Sequence, residues 1–221
     1  LAMQIRAELE EFGRGLSISS ALCIGGVNIN PQIRALANQP DFVIGTVGRL
    51  KDLSRRHQLS FSDYHSIVLD EVDRMLDMGF IRDIRQIISK LPQDRHSLFF
   101  SATMPEKVNQ IMRDFLHDPV SIKIKTQPFS ANVDQDIFKL NGQNKVEALS
   151  NLLQGRNFQK VLVFGRTKRG AEQLSIALRK KGVEVAVIHG NKSQSQRQRA
   201  IEMFKEDRVQ VLVATDVASR G

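Results

Sequence analysis

A single cysteine, Cys23, stands among 221 residues, so neither an intramolecular disulfide framework nor a multi-cysteine zinc site can be built. No apolar run approaches the ~18 residues that a membrane-spanning helix needs. No signal peptide is visible, and the expected location is cytoplasmic. No serine sits in a G-x-S-x-G setting, which sets aside the nucleophile-elbow hydrolases. Tandem repeats and low-complexity tracts are also missing. What is present suits a folded protein: 41% hydrophobic residues can supply a packed core and exclude wholesale disorder. Lys and Arg number 32 against 24 Asp and Glu, a formal charge of +8 that points toward a polyanionic partner. At ~100–200 residues per domain, the length suits one large domain or two small ones.

Short apolar runs alternate with amphipathic stretches. Phe42 to Ile44, Ile67 to Leu69, Leu98 to Phe100, Val161 to Phe164, Val183 to Ile188 and Val209 to Ala214 read as strands. Near-continuous runs rich in Val and Ile predict parallel strands covered on both faces. Between them, Ile81, Ile84, Ile87, Ile88 and Leu91 share one helical face, as do Val108, Ile111, Met112, Phe115 and Leu116. Val146, Leu149, Leu152 and Leu153 repeat the pattern, followed by Ala171, Leu174 and Leu178, then Ala200, Ile201 and Phe204. Strand–helix alternation of this kind predicts α/β domains with parallel sheets.

The alternation pauses in a polar stretch containing Pro128, read as an interdomain linker over 126–133. The charge divides there too. Residues 1–125 carry 16 basic and 15 acidic side chains, whereas residues 126–221 carry 16 and 9. Nearly all the positive excess therefore lies in the second block.

Three strand ends in the first block carry candidate chemistry. The run Ser66 to Leu69 stops abruptly at Asp70-Glu71-Val72-Asp73. In open parallel sheets, ligands bind beyond the carboxyl ends of strands. One carboxylate there can hold magnesium through water and the next can orient or deprotonate an attacking water. The alternative is a solvated acidic turn. Ser101 and Thr103 follow the Phe99-Phe100 strand end; they can hydrogen-bond an acid such as Asp73, or cap the helix that begins near Pro105. Thr46-Val47-Gly48-Arg49, with Gly25-Gly26 upstream, can bring backbone N–H groups and a cation to a phosphate, or form ordinary turns.

In the second block, Phe164-Gly165-Arg166-Thr167-Lys168-Arg169 places three cations at a strand-to-helix junction, and Gln194 to Arg197 opens another helix. Arg179-Lys180-Lys181 reads as solvated helix surface, and His189 as a structural histidine or a cleft donor.

Asp70-Glu71-Val72-Asp73-Arg74-Met75-Leu76-Asp77-Met78-Gly79-Phe80, then Ser101-Ala102-Thr103, then Ala214 to Gly221 resemble the DEAD-box family of ATP-dependent RNA helicases, bacterial in flavour, over essentially the whole chain. The resemblance implies two RecA-like parallel-sheet domains, both incomplete: 1–125, the ATP-binding part, and 134–221, the helicase C-terminal part. It implies ATP and magnesium bound between them, and RNA, single-stranded or duplex, held by its backbone without sequence preference. Asp70 and Glu71 then resemble the pair that serves magnesium, through water at Asp70, and the hydrolytic water. Asp73, Ser101 and Thr103 resemble the link between hydrolysis and strand separation. Gly26, Thr46, Gly48 and Arg49 resemble first-domain RNA contacts. Phe164, Arg166, Thr167, Gln194, Arg197 and Thr215 resemble second-domain RNA contacts. Asp216 and Arg220 resemble nucleotide-sensing residues.

Several positions depart from the family pattern. Val72 replaces an alanine, a small apolar change. Val47 replaces a proline and is expected to loosen its loop. No G-x-x-x-x-G-K-[ST] phosphate loop and no Gly-Lys pair occur anywhere. The chain therefore resembles the middle of a helicase, and these 221 residues alone are expected not to hydrolyse ATP; RNA-stimulated phosphate release from them would refute this. Two alternatives are a nucleotide-independent RNA-binding scaffold and a DNA-directed helicase of the same superfamily. Asp70, Glu71 and Asp216 together weigh against the scaffold, which needs none of them. The Ser-Ala-Thr and Val-Ala-Ser-Arg-Gly strings weigh against the DNA enzyme.

Overall fold

The computed structural model describes residues 1–116, 118–124, 133–155 and 158–215. The chain divides into two compact units, Leu1–Ile122 and Lys123–Gly221. Asp216, Arg220 and all but the last residue of the expected linker lie outside the described residues.

The first unit runs α1 (Ala2–Phe12), β1 (Ser20–Cys23), α2 (Asn30–Ala37), β2 (Phe42–Gly45), α3 (Val47–Arg55), β3 (Ser66–Leu69), α4 (Val72–Asp77), α5 (Ile81–Ile88), β4 (His96–Phe99) and α6 (Glu106–Phe115). β1 pairs with β2, and β3 with β4, both parallel. Gly45 closes β2 against β1. A Cβ there would lie 2.6 Å from the Cys23 carbonyl oxygen and 2.7 Å from the Leu50 side chain, so no larger residue fits. The core gathers Ala21 and Cys23 of β1, Leu36 of α2, Leu53 of α3, and the Ile84, Ile87, Ile88, Leu91 stripe. Burial pushes the Cys23 thiol up to about 11 against the opposing pull of Arg49, so it packs as a neutral side chain. An ion pair between Lys51 and Asp83 joins α3 to α5.

The second unit runs α7 (Lys145–Gly155), β5 (Val161–Phe164), α8 (Lys168–Lys180), β6 (Val185–Ile188), α9 (Gln194–Lys205) and β7 (Val211–Ala214). Its strands are parallel in the order β5-β7-β6. Every residue of β6 and β7 is buried. Val185, Val187, Val211 and Val213 pack with Ala171 and Leu178 of α8, while Ala186, Ile188 and Leu212 pack with Ala200 of α9.

Burial on both faces, expected of all the strands, holds only for β6 and β7. Along β3, β4 and β5 the side chains alternate between core and solvent. Val68 remains 57% exposed, Leu98 39% and Phe164 57%. The period-2 geometry of a strand sends alternate residues to opposite faces, and only one face of these strands meets a helix layer of its own unit. No helix among the described residues is long and apolar enough to cross a membrane.

Candidate nucleotide and nucleic-acid sites

Parallel pairing of β3 with β4 sets Leu69 opposite Phe99, so the two strands release their chains side by side. Two bonds beyond the ladder hold the exits together: Phe100 N–H donates to the Leu69 carbonyl at 2.8 Å, and Val72 N–H to the Phe100 carbonyl at 3.1 Å. Ser101 and Thr103 are thereby brought to Asp73. The Thr103 hydroxyl donates to Asp73 Oδ2 at 2.6 Å, and the Thr103 N–H donates to the same oxygen at 2.9 Å. Arg74 N–H donates to Oδ1 at 3.0 Å. Ser101 Oγ accepts from Asp73 N–H at 3.3 Å and donates to the Thr103 carbonyl at 2.6 Å, closing the ring. Asp73 is 9% exposed. Burial opposes its ionisation, but the hydroxyl and N–H of Thr103, the Arg74 N–H and Ser101 outweigh that and hold its carboxyl below the usual range. The capping alternative for Ser101 and Thr103 is overturned. α6 begins after Pro105 without a side-chain cap, because both hydroxyls are engaged in the Asp73 ring.

Asp70 and Glu71 occupy the turn between β3 and α4. Asp70 Oδ1 accepts the Glu71 N–H at 2.9 Å. Glu71 has φ 53° and ψ 48°, the left-handed region that disfavours a side chain. Other non-glycine residues with positive φ, such as Gln39, His57 and Asp207, follow helix ends, where a left-handed residue is ordinary. Glu71 instead stands between a strand and a helix start. Its carboxylate pairs with Arg74 Nη1 at 2.5 Å across one helical turn. No group of three or more metal-ligating side chains occurs among the described residues. A single carboxylate fits magnesium that arrives with nucleotide, since that ion keeps several waters and needs only one or two protein carboxylates.

Thr46 is the extended residue before α3, and Gly48 lies in that helix's first turn; both are exposed. The looseness expected at Val47 is not found. Val47 is the first residue of α3 and packs against the core, while Arg49 and Leu50 N–H groups both donate to the Thr46 carbonyl at 3.0 Å. Arg49 Nη2 donates to the Val27 carbonyl at 3.3 Å, and its Nη1 is buried without a partner. Gly26 sits in a turn with φ 77°.

In the second unit, three strand exits again lie together. Gly165 N–H donates to the Ala214 carbonyl at 2.8 Å, and Thr215 N–H to the Ile188 carbonyl at 3.2 Å. Arg166 is exposed beside this edge, and Thr215 is buried with an unpartnered hydroxyl. Thr167 caps α8, its hydroxyl oxygen accepting from Gly170 N–H at 3.0 Å. Gln194 opens α9 behind a Ser193–Gln196 capping box. Arg197 turns back to the Lys192 carbonyl at 3.0 Å and the Gly190 carbonyl at 3.4 Å, bracing the loop before its own helix.

Residues not anticipated from sequence brace the elements around these sites. Glu172 of α8 pairs with buried His189 at 2.7 Å and with Lys192 at 3.0 Å. The hydrogen bond to His189, then that to Lys192, holds the Glu172 carboxyl below its ordinary range. Arg179 is exposed, as its position in a basic run suggests, but its guanidinium also reaches back to the sheet. Its Nε and Nη2 donate to the Val185 carbonyl at 3.1 and 2.9 Å. Among the described residues β6 pairs only with β7, so this guanidinium serves the strand's other edge. Gln32 of α2 is buried and ties the loop after β1. A sequence signal for it exists: it falls in the i, i+3, i+4, i+7 series Ile29, Gln32, Ile33, Leu36, a polar residue at core spacing.

Comparison with known proteins places these features in a family. Residues 1–111 match the DEAD/DEAH box helicase family, and residues 144–221 match the helicase conserved C-terminal domain. The chain is 39% identical over 222 aligned positions to the DEAD-box ATP-dependent RNA helicase CshA of Geobacillus kaustophilus, covering 100% of this chain and 48% of that protein. It is 40% identical to the protein of the same name from Streptococcus pneumoniae, covering 42% of it. The chain thus spans about half the length of the curated relatives it matches. Among solved structures, it is similar to S. cerevisiae Dbp5 bound to RNA and ADP BeF3, with TM-score 0.83 and 28% identity over 100% of this chain and 56% of that one. It is also similar to a DEAD box protein from the hyperthermophile Methanococcus jannaschii, with TM-score 0.54 and 39% identity over 100% of this chain and 59% of that one. The strand-end acids, the Ser101–Thr103 ring and the two matched regions agree, and the chain belongs to the DEAD/DEAH box helicase family.

Proposed function

We propose that the whole protein is an ATP-dependent RNA helicase that separates short RNA duplexes or remodels RNA–protein complexes in the cytoplasm. The observation that carries this reading is the Asp73 ring, which joins the strand end bearing Asp70 and Glu71 to the next strand end through Ser101 and Thr103. Relatives of 39–40% identity bear the name DEAD-box ATP-dependent RNA helicase, and the RNA-bound Dbp5 structure supports RNA as the partner. We assign domains to 1–125 and 134–221 with a linker between.

Asp70 would hold magnesium through the carboxylate oxygen not committed to the Glu71 N–H. That ion, when bound, neutralises charge on the nucleotide phosphates. Glu71 takes the proton of the attacking water on its carboxylate. Arg74, paired with that carboxylate across one helical turn, holds it in place at the strand exit. The Asp73 ring transmits the change at the phosphate end to Thr103 and the start of α6. Gly26, Thr46, Gly48 and Arg49 contact the RNA backbone on the first unit. Phe164, Arg166, Thr167, Gln194, Arg197 and Thr215 do so on the second, and Asp216 and Arg220 sense nucleotide. Backbone contacts of this type carry little base information, so binding is sequence-independent.

Glu71→Gln in the full-length protein tests the assignment. ATP and RNA remain bound together while hydrolysis is lost. Hydrolysis at the unmutated rate would remove Glu71 from the mechanism.

A further inference from the structure

The loop leaving β1 is exposed from Gly25 to Asn28, yet the carbonyls of Ile24, Val27 and Asn28 are taken up by side chains of this unit. Gln32, only 6% exposed, donates through Nε2 to the carbonyls of Ile24 and Asn28, both at 3.1 Å. From the other side, Arg49 Nη2 takes the Val27 carbonyl. Two side chains from two helices thus hold three loop carbonyls inward. The amide of Gln32 can sit only one way, because only its NH2 can serve two carbonyl acceptors. Its Oε1 is consequently left buried without a partner. Buried acceptors of that kind are few in folded proteins.

The peptide unit is planar, and no peptide bond among the described residues is cis. In a trans unit the N–H points opposite to the preceding carbonyl. Tying back the carbonyls of Ile24, Val27 and Asn28 therefore turns the N–H groups of Gly25, Asn28 and Ile29 outward. None of the three donates to an acceptor among the described residues. Apart from its chain neighbours, nothing lies within 4 Å of where a Gly25 Cβ would stand, and Gly26 adopts φ 77°, so the turn is open at Gly25. Outward N–H groups beside three retracted carbonyls suit phosphate oxygens, because three repulsive acceptors have been withdrawn from the surface.

We propose that Gln32 is a positioning residue which, with Arg49, retracts these carbonyls and presents the loop's N–H groups to the phosphates of an RNA strand. This deepens the helicase reading and rests on it. Gln32 itself touches no RNA; it acts through the loop.

The test uses the full-length protein with Gln32→Leu, similar in size but without donors, and Gln32→Glu, which sets a carboxylate against two carbonyls. Both raise the RNA concentration for half-maximal ATP hydrolysis by about tenfold, as expected for one lost charge-assisted contact. Hydrolysis at saturating RNA and ATP affinity stay at the unmutated values, while the melting temperature falls modestly because two carbonyls lose their buried donor. Unchanged RNA dependence in a folded variant overturns the inference. So does a joint fall of maximal rate, ATP affinity and melting temperature in both variants, which is the mark of a structural glutamine. If Gln32→Leu fails to fold, Gln32→Glu alone decides by the same criteria. An unmutated protein that binds no single-stranded RNA and shows no RNA-stimulated hydrolysis removes the helicase reading, and this inference with it.

Discussion

Both units end parallel strands side by side, yet they treat those ends in opposite ways. In the first, the exit of β3 is acidic and strained. Glu71 holds a left-handed backbone, and Asp73 is a buried carboxylate satisfied by three donors. In the second, the exits are followed by well-capped helices, Thr167 before α8 and the Ser193–Gln196 box before α9. The loop at His189 is braced by Glu172 and Arg197. One architecture thus supports two kinds of surface. Under the proposed function, the strained, charged end is the part that changes during the cycle, and the capped, braced ends are its platform.

If that contrast is right, substitutions at the two ends behave differently. The largest effect falls on Glu71. Glu71→Gly lowers ATP turnover of the whole protein by ~10²–10⁴. It also raises stability by about 1 kcal/mol, since glycine accepts the left-handed backbone. A denaturant titration that shows Glu71→Gly destabilised would mean that the Arg74 pairing outweighs the strain. Next is Thr103→Val, expected to cost ~1.5–3 kcal/mol at pH 7 through a lost bond to a charged carboxylate. It also separates hydrolysis from unwinding, measured side by side. Asp73 has a folded pKa below its unfolded value, so its contribution is full above about pH 4 and is lost as pH falls through the folded value. The difference between Thr103→Val and the unmutated protein therefore shrinks in acid.

Smaller changes belong to the platform. Glu172→Gln costs about 1 kcal/mol, discounted because this carboxylate is partly open to solvent. Its folded pKa is also lowered, so the loss is present at neutral pH and fades as pH falls through that value. RNA-stimulated maximal rate stays the same; a large fall would move Glu172 into the working site. Arg179→Met removes two donors from the Val185 carbonyl and loosens the edge of β6 by about 1 kcal/mol. Hydrogen exchange confined to Val185–Ile188 checks it. Thr167→Ala is the smallest, about 0.5–1 kcal/mol for a lost helix cap.

The parts of the molecule that could be read from residues alone share a physical trait. β6 and β7 are continuous apolar runs because both faces are covered, so their composition announces them. The Ile84, Ile87, Ile88, Leu91 stripe is periodic because one helix face meets the core. β1 escaped notice, since Ser20-Ala21-Leu22-Cys23 is short and mixed, and its place depends on pairing with β2. The helical start at Val47 also escaped, because the string Thr46 to Arg49 carries no apolar period. Asp73 meeting Thr103 was foreseeable as a possibility but rested on register: Leu69 opposite Phe99 brings residues 30 positions apart within a hydrogen bond.

Runs and spacings along the chain are enough to specify the alternation of strands and helices, the unequal charge of the two blocks and the order of the motifs that mark the family. Those properties are local. Tertiary structure alone decided which carbonyls Gln32 and Arg179 would satisfy, that Glu172 would face His189, and that Glu71 would be held left-handed. Each of these depends on a donor and an acceptor brought together by packing. A polar group's partner is fixed by where the fold puts it, not by its neighbours in sequence.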